Sequence, residues 1–153
     1  MYFRLLQTAA RIFGTLQVEE SNQMYRQRTG ARFEHREQTG QRVKDSPSLA
    51  ERFRKLKSLT LDLSFYDPEG ASKLSQIKYS VNIANAKSVF LFHCPNTECI
   101  RGDFDLTDEL ANAVAKRRST VAGEMICQGW RSKTTVNTVR CGNILRYKLT
   151  LGY

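Results

Sequence analysis

The residues in this chain best suited to chemistry are its four cysteines, Cys94, Cys99, Cys127 and Cys141. Cys94 and Cys99 flank Pro95, Asn96, Thr97 and Glu98, directly after the apolar run Ser88–Phe92. Cys127 and Cys141 enclose thirteen residues. Two local pairs of thiolates are how a tetrahedral four-cysteine zinc site is built. Such an ion would strip all four thiols of their protons and add about 10 kcal/mol or more of folding free energy. Three other fates stay open: packing as small buried hydrophobes, closing disulfides, or redox and nucleophilic work, which needs a thiolate of lowered pKa.

The stretch from Cys94 to Cys99 resembles a zinc-ribbon knuckle lengthened by two residues, whereas the Cys127/Cys141 pair departs from that pattern. It is also not the C-x-x-C spacing of thiol oxidoreductases. The chain has two histidines, His35 and His93. His93 precedes Cys94, so on a strand it points to the opposite face, as a packed or solvent-facing residue. Any His-based catalytic metal site or Ser-His-Asp triad would have to draw on these two. There is no Gly-rich phosphate loop, H-E-x-x-H helix or nucleophile elbow. Asp103, Asp105, Asp108 and Glu109 read as turn and helix-cap residues before they read as an acid/base pair. The expectation is a non-enzymatic protein with structural zinc.

A partner surface is suggested by the loop between Cys127 and Cys141. Trp130 can stack on an unpaired base, and Arg131, Lys133 and Arg140 can meet phosphates. Lys116, Arg117 and Arg118 would extend that patch if they lie on the same side. The formal net charge is +9, with twelve Lys and Arg against six Asp and Glu before residue 58 and twelve against nine after it. Such an excess favours encounter with nucleic acid, acidic proteins or anionic membranes without choosing among them. Nucleic acid or a ribonucleoprotein surface is the first expectation. The alternatives are a protein-interaction or assembly module, and third a thiol redox protein. The plain reading is that Trp130 closes the core's edge and the charges are solvated.

These residues need elements to position them, and the chain divides into three segments. Residues 1–17 place Phe3, Leu5, Leu6, Ile12, Phe13 and Leu16 largely on one side of a helical wheel, with Arg4 and Arg11 on the other. An amphipathic helix with Arg and no acid suits an organelle presequence, a membrane-interface helix, or docking on its own domain or a second subunit. Residues 18–45 are polar, basic and aperiodic, and read as a linker or arm. With four cysteines and no apolar run near the ~20 residues that cross a bilayer, a reducing, cytoplasmic setting is expected, with organelle targeting as the alternative.

Residues 46–153 read as the α+β domain. Ser48 and Glu51 match a capping box ahead of a short basic helix. Leu59, Leu61, Leu63 and Phe65 alternate with polar residues, as do Leu145, Tyr147, Leu149 and Leu151, which is the period of a half-buried strand. Ile77, Tyr79, Val81 and Ile83 suggest a second strand, and residues 87–94 a third, apolar on both faces and therefore central. A helix with Asp108 and Glu109 in its first turn follows, then a strand near 120–130. The expected architecture is a mostly antiparallel sheet of about five strands, with one helix after the third and a short helix before the first.

Overall fold

The computed structural model describes residues 30–132 and 138–153. The proposed helix over residues 1–17 and Lys133 lie outside them. The described chain is α+β. Helix α1 covers residues 30–45, and α2 is Leu49–Arg52. The strands are β1 (Ser58–Tyr66), β2 (Lys73–Ser80), β3 (Leu91–His93), β4 (Asp103–Asp105), β5 (Thr120–Ile126), β6 (Trp130–Ser132), β7 (Thr138–Arg140) and β8 (Ile144–Gly152), with α3 (Thr107–Ala115) between β4 and β5. Four strands form one sheet in the order β2-β1-β8-β5, and β3/β4 and β6/β7 form separate two-stranded ladders.

The two-residue period makes the central pair. β1 and β8 run antiparallel in a register that sets Leu59 against Leu151, Leu61 against Leu149, Leu63 against Tyr147 and Phe65 against Leu145. All eight are buried, while their neighbours along each strand are half-buried or exposed. One face is therefore core and the other meets water, as antiparallel sheets allow. Burying a leucine of this kind contributes about 2 kcal/mol. Leu106, which precedes α3, and Leu110 and Ala113 within it belong to the same core cluster as Leu49, Phe90 and Phe104. The Phe104 ring meets Phe65 at 5.6 Å between centroids.

Two expectations are corrected. The apolar run at residues 87–94 is not a central strand, because its ladder extends only over β3 and pairs with β4 alone. Phe90 goes into the core instead, its N–H accepted by Thr107 Oγ1 at 3.0 Å. Residues 30–45, expected to belong to an irregular arm, are helical. Their inward contacts are polar: Arg32 donates to the Thr97 carbonyl, His35 pairs with Asp103, and Arg42 Nη1 lies 2.7 Å from Asp105 Oδ2. A helix docked by charge carries no apolar stripe, so hydrophobic periodicity passes over it.

The capping box is present: Ser48 Oγ accepts from the Glu51 N–H at 3.2 Å, and the Glu51 carboxylate accepts from the Ser48 N–H at 2.8 Å. Among the described residues no helix is long and apolar enough to cross a membrane.

Candidate metal centre

Cys94 and Cys99 stand on the turn that links β3 to β4. The chain reverses there because Asn96 closes it twice, its side-chain oxygen accepting from the Glu98 N–H (2.9 Å) and its carbonyl from the Cys99 N–H (3.1 Å). Arg101 adopts a left-handed φ of 56°, and the Cys94 N–H then reaches the Gly102 carbonyl at 2.9 Å. Cys127 and Cys141 stand at the other wall, where the β5/β8 ladder gives way to the β6/β7 hairpin. The Cys127 N–H donates to the Asn143 carbonyl (2.7 Å) and the Cys141 N–H to the Gly129 carbonyl (2.8 Å). Ile100 and Trp130 exchange both backbone hydrogen bonds, at 2.9 and 3.1 Å, tying the turn to the hairpin.

These connections bring all four sulfurs within 4.8 Å of one another. The short edges cross between the walls: Cys94 Sγ lies 3.7 Å from Cys141 Sγ, and Cys99 Sγ 3.6 Å from Cys127 Sγ. All four are free thiols, and none is more than 7% exposed. Two glycines make the approach possible. A Cβ on Gly102 would strike Cys99 Sγ and stand 2.6 Å from Cys127 Sγ. A Cβ on Gly129 would strike Cys99 Sγ and stand 2.6 Å from the Gly102 Cα.

The electrostatics of the cluster follow from that crowding. Hydrogen bonds from the Cys127 and Cys99 thiols hold Cys94 down to about 2, with the Asn96 N–H and Cys141 adding to the effect against the opposing pull of burial. The bond to Cys94 pushes Cys127 up to about 12. Cys127, Cys94 and burial together raise Cys99 well above the ordinary thiol range. Thiolates at this separation would repel one another strongly, and a cation among them would relieve that repulsion. Two amide side chains add N–H donors to sulfur: Asn143 Nδ2 to Cys94 (3.5 Å) and Asn96 Nδ2 to Cys141 (3.7 Å). Four buried sulfurs with outer N–H donors can hold one metal ion.

The other expected site residues fall into two groups. Trp130 and Arg131 are half-buried in β6, and the Arg131 guanidinium donates to the Cys141 carbonyl at 3.4 Å. Arg140 is exposed and donates to the Gln128 side chain. Lys116, Arg117 and Arg118 are exposed but follow α3 and precede β5, so the length of that seven-residue strand, about 20 Å, separates them from Cys127. They do not extend the patch around Trp130. His93 Nδ1 meets Asp103 Oδ1 at 2.7 Å, and the same carboxylate also holds His35.

Gly102, Gly129, Asn96 and Asn143 were not singled out from sequence. Their signal was proximity: each lies within three residues of a cysteine.

Fold and site together define an α+β domain with a buried four-cysteine cluster able to hold a metal ion. In comparisons with family models, curated proteins and solved structures, nothing matches the chain.

Proposed function

We propose that Cys94, Cys99, Cys127 and Cys141 hold one structural Zn2+, and that the domain so fastened is a non-enzymatic binding module for nucleic acid or a ribonucleoprotein surface. The carrying observation is the pair of short sulfur–sulfur edges, 3.6 and 3.7 Å. A tetrahedral four-thiolate zinc with bonds of about 2.3 Å has edges of about 3.8 Å. Four protein ligands close the coordination sphere and leave no position for water or substrate, as in structural sites. The burial of every sulfur also keeps bulky disulfide substrates away, which weighs against the redox reading.

The binding part of the proposal is supported by the formal net charge of +9. Mass spectrometry of the purified protein should find one zinc per chain, and retarded single-stranded RNA should be released as salt rises. A protein with iron or no metal would sink the first half. Undetectable RNA binding at low salt would sink the second.

One observation favours an assembly role as the second reading. The edge strand β2 leaves Leu74, Ile77 and Tyr79 exposed at 48%, 42% and 39%. Ile77 and Tyr79 stand opposite the buried Leu63 and Leu61 on the core side of the sheet. An edge that no strand of the described residues pairs with, carrying apolar side chains, invites another chain. Light scattering of the full chain and of residues 24–153 should show a dimer in at least one of them if this reading holds; monomers in both would remove it.

A further inference from the structure

The end of the sheet opposite the cysteines gathers a second set of cations. The Lys57 N–H donates to the Gly152 carbonyl at 2.7 Å, which sets the basic segment 52–57 beside the end of β8. Tyr153 Oη reaches the carbonyls of Ala113 (3.2 Å) and Arg118 (3.1 Å), which sets the basic segment 116–118 beside the same end. Between them runs a groove of about 330 Å³ with Arg52, Arg54, Lys55 and Arg117 on its walls. Two stretches separated by some sixty residues of sequence thus form one surface.

Three features of the groove point to a ligand: its unpaired cations, its engaged acid and its aromatic walls. Among the described residues none of its four cations takes part in an ion pair. Its acidic side chain, Glu51, is engaged elsewhere, accepting from Ser48 N (2.8 Å) and Ser48 Oγ (2.9 Å) in the capping box. The left-handed φ of Arg117, 47°, belongs to the end of α3, where the Arg118 N–H reaches back to the Ala113 carbonyl at 2.9 Å. Two aromatic rings share the walls: Phe53, under the Arg52 guanidinium at 5.2 Å, and Tyr153, 40% exposed.

We propose that this groove binds single-stranded nucleic acid, with Arg54, Lys55 and Arg117 on successive phosphates and the Arg52–Phe53 stack and Tyr153 offering flat faces to the bases. The proposal rests on the nucleic-acid reading above and moves its site from the Trp130 loop to the opposite end. Cations alone would suit any anion, but the aromatic faces are of use to unstacked bases and of none to an acidic peptide. A duplex, whose base faces are hidden, would gain only the phosphate contacts.

Fluorescence anisotropy with a labelled twelve-nucleotide oligouridine, on the full chain, tests this. The triple variant Arg54→Glu, Lys55→Glu, Arg117→Glu should bind at least about tenfold more weakly. Its plot of log K against log salt should be shallower by about two, at roughly 0.7 for each phosphate that is no longer neutralised. Its melting temperature should stay near that of the parent, because the altered side chains are exposed. If the triple variant folds poorly, Lys55→Gln alone should weaken binding by roughly twofold or more, the scale of one exposed ion pair. Arg140→Glu, at the cysteine end, should bind as the parent does.

A parent that binds while the triple variant binds equally well overturns the groove and leaves the nucleic-acid reading standing. A parent that binds no RNA overturns both. A twelve-residue glutamate peptide bound as tightly as the RNA overturns the proposal in favour of a plain anion site.

Discussion

The two ends of this small sheet are held by different physics. Through its middle and toward the C-terminus of β8, nine-residue strands pair in unbroken register and bury a leucine or an aromatic ring at every second position. At the cysteine end the ladders β3/β4 and β6/β7 are three residues long. Two-stranded ladders that short do not stand alone in water. Sulfurs, glycines and the polar docking of α1 do there what apolar rows do elsewhere. A chain too small to carry its core to the end of every strand can fasten the remainder with an ion, at the cost of making that part depend on it.

The most direct way to break the comparison is to remove the proposed ion. With a strong chelator at pH 7, hydrogen exchange should reach the amides of β3, β4, β6 and β7 while those of β1 and β8 stay protected. Stability should fall by several kcal/mol, up to about 10. Uniform protection before and after chelation would mean that the short ladders are self-supporting. The converse change is Leu149→Ala in the leucine rows. It should cost about 3 kcal/mol in urea denaturation of the metal-loaded protein and leave one metal per chain. Loss of metal in that variant would make the two regions a single cooperative unit.

Within the cysteine end, two glycines differ in sign. Gly129→Ala puts a methyl against Cys99 Sγ and 2.6 Å from the Gly102 Cα, so it should cost about 1–3 kcal/mol of overpacking and speed metal loss to a competing chelator. Gly40→Ala, in α1, meets nothing within 4 Å and should stabilise by up to about 1 kcal/mol through helix propensity. Equal effects at both positions would show that the sulfurs do not need the close approach.

The leucine rows were legible in the sequence because alternation is a local signal: Leu59 to Phe65 and Leu145 to Leu151 state their own period, whereas the pairing of β1 with β8 is visible only in the structure. The cysteines were legible as residue types able to bind a metal, and their convergence followed once Cys127 and Cys141 were placed across the ends of paired strands. What stayed hidden depends on tertiary partners. Helix α1 turns Arg32, His35 and Arg42 inward to Thr97, Asp103 and Asp105, so it has no apolar stripe. Residues 87–94 looked central because they are apolar on both faces, but Phe90 is a plug over the sheet and only β3 is strand. The basic groove joins segments 52–57 and 116–118, whose proximity depends on the full fold.

Asp105 sits at the joint between the two regions, and its titration gives the smallest and most specific test. Burial alone would raise its pKa, but the hydroxyl and N–H of Thr107 and the guanidinium of Arg42 outweigh that and hold the carboxyl below its ordinary value. A folded pKa below the unfolded one, near 3.9, means a contribution fully present above the unfolded pKa and lost as pH falls through the folded value. The stability gap between the parent and Asp105→Asn should therefore be constant from neutral pH down to about 5 and shrink below about 4. Acid would also protonate the cysteines and release a bound metal, but it would do so in both proteins and cancel in the gap. Charge pairing at the surface is modest in energy, so the gap should be the smallest of these effects. A gap that widens in acid would mean that the carboxylate is held less well in the folded chain than in the unfolded one, and α1 would then need another anchor than Arg42.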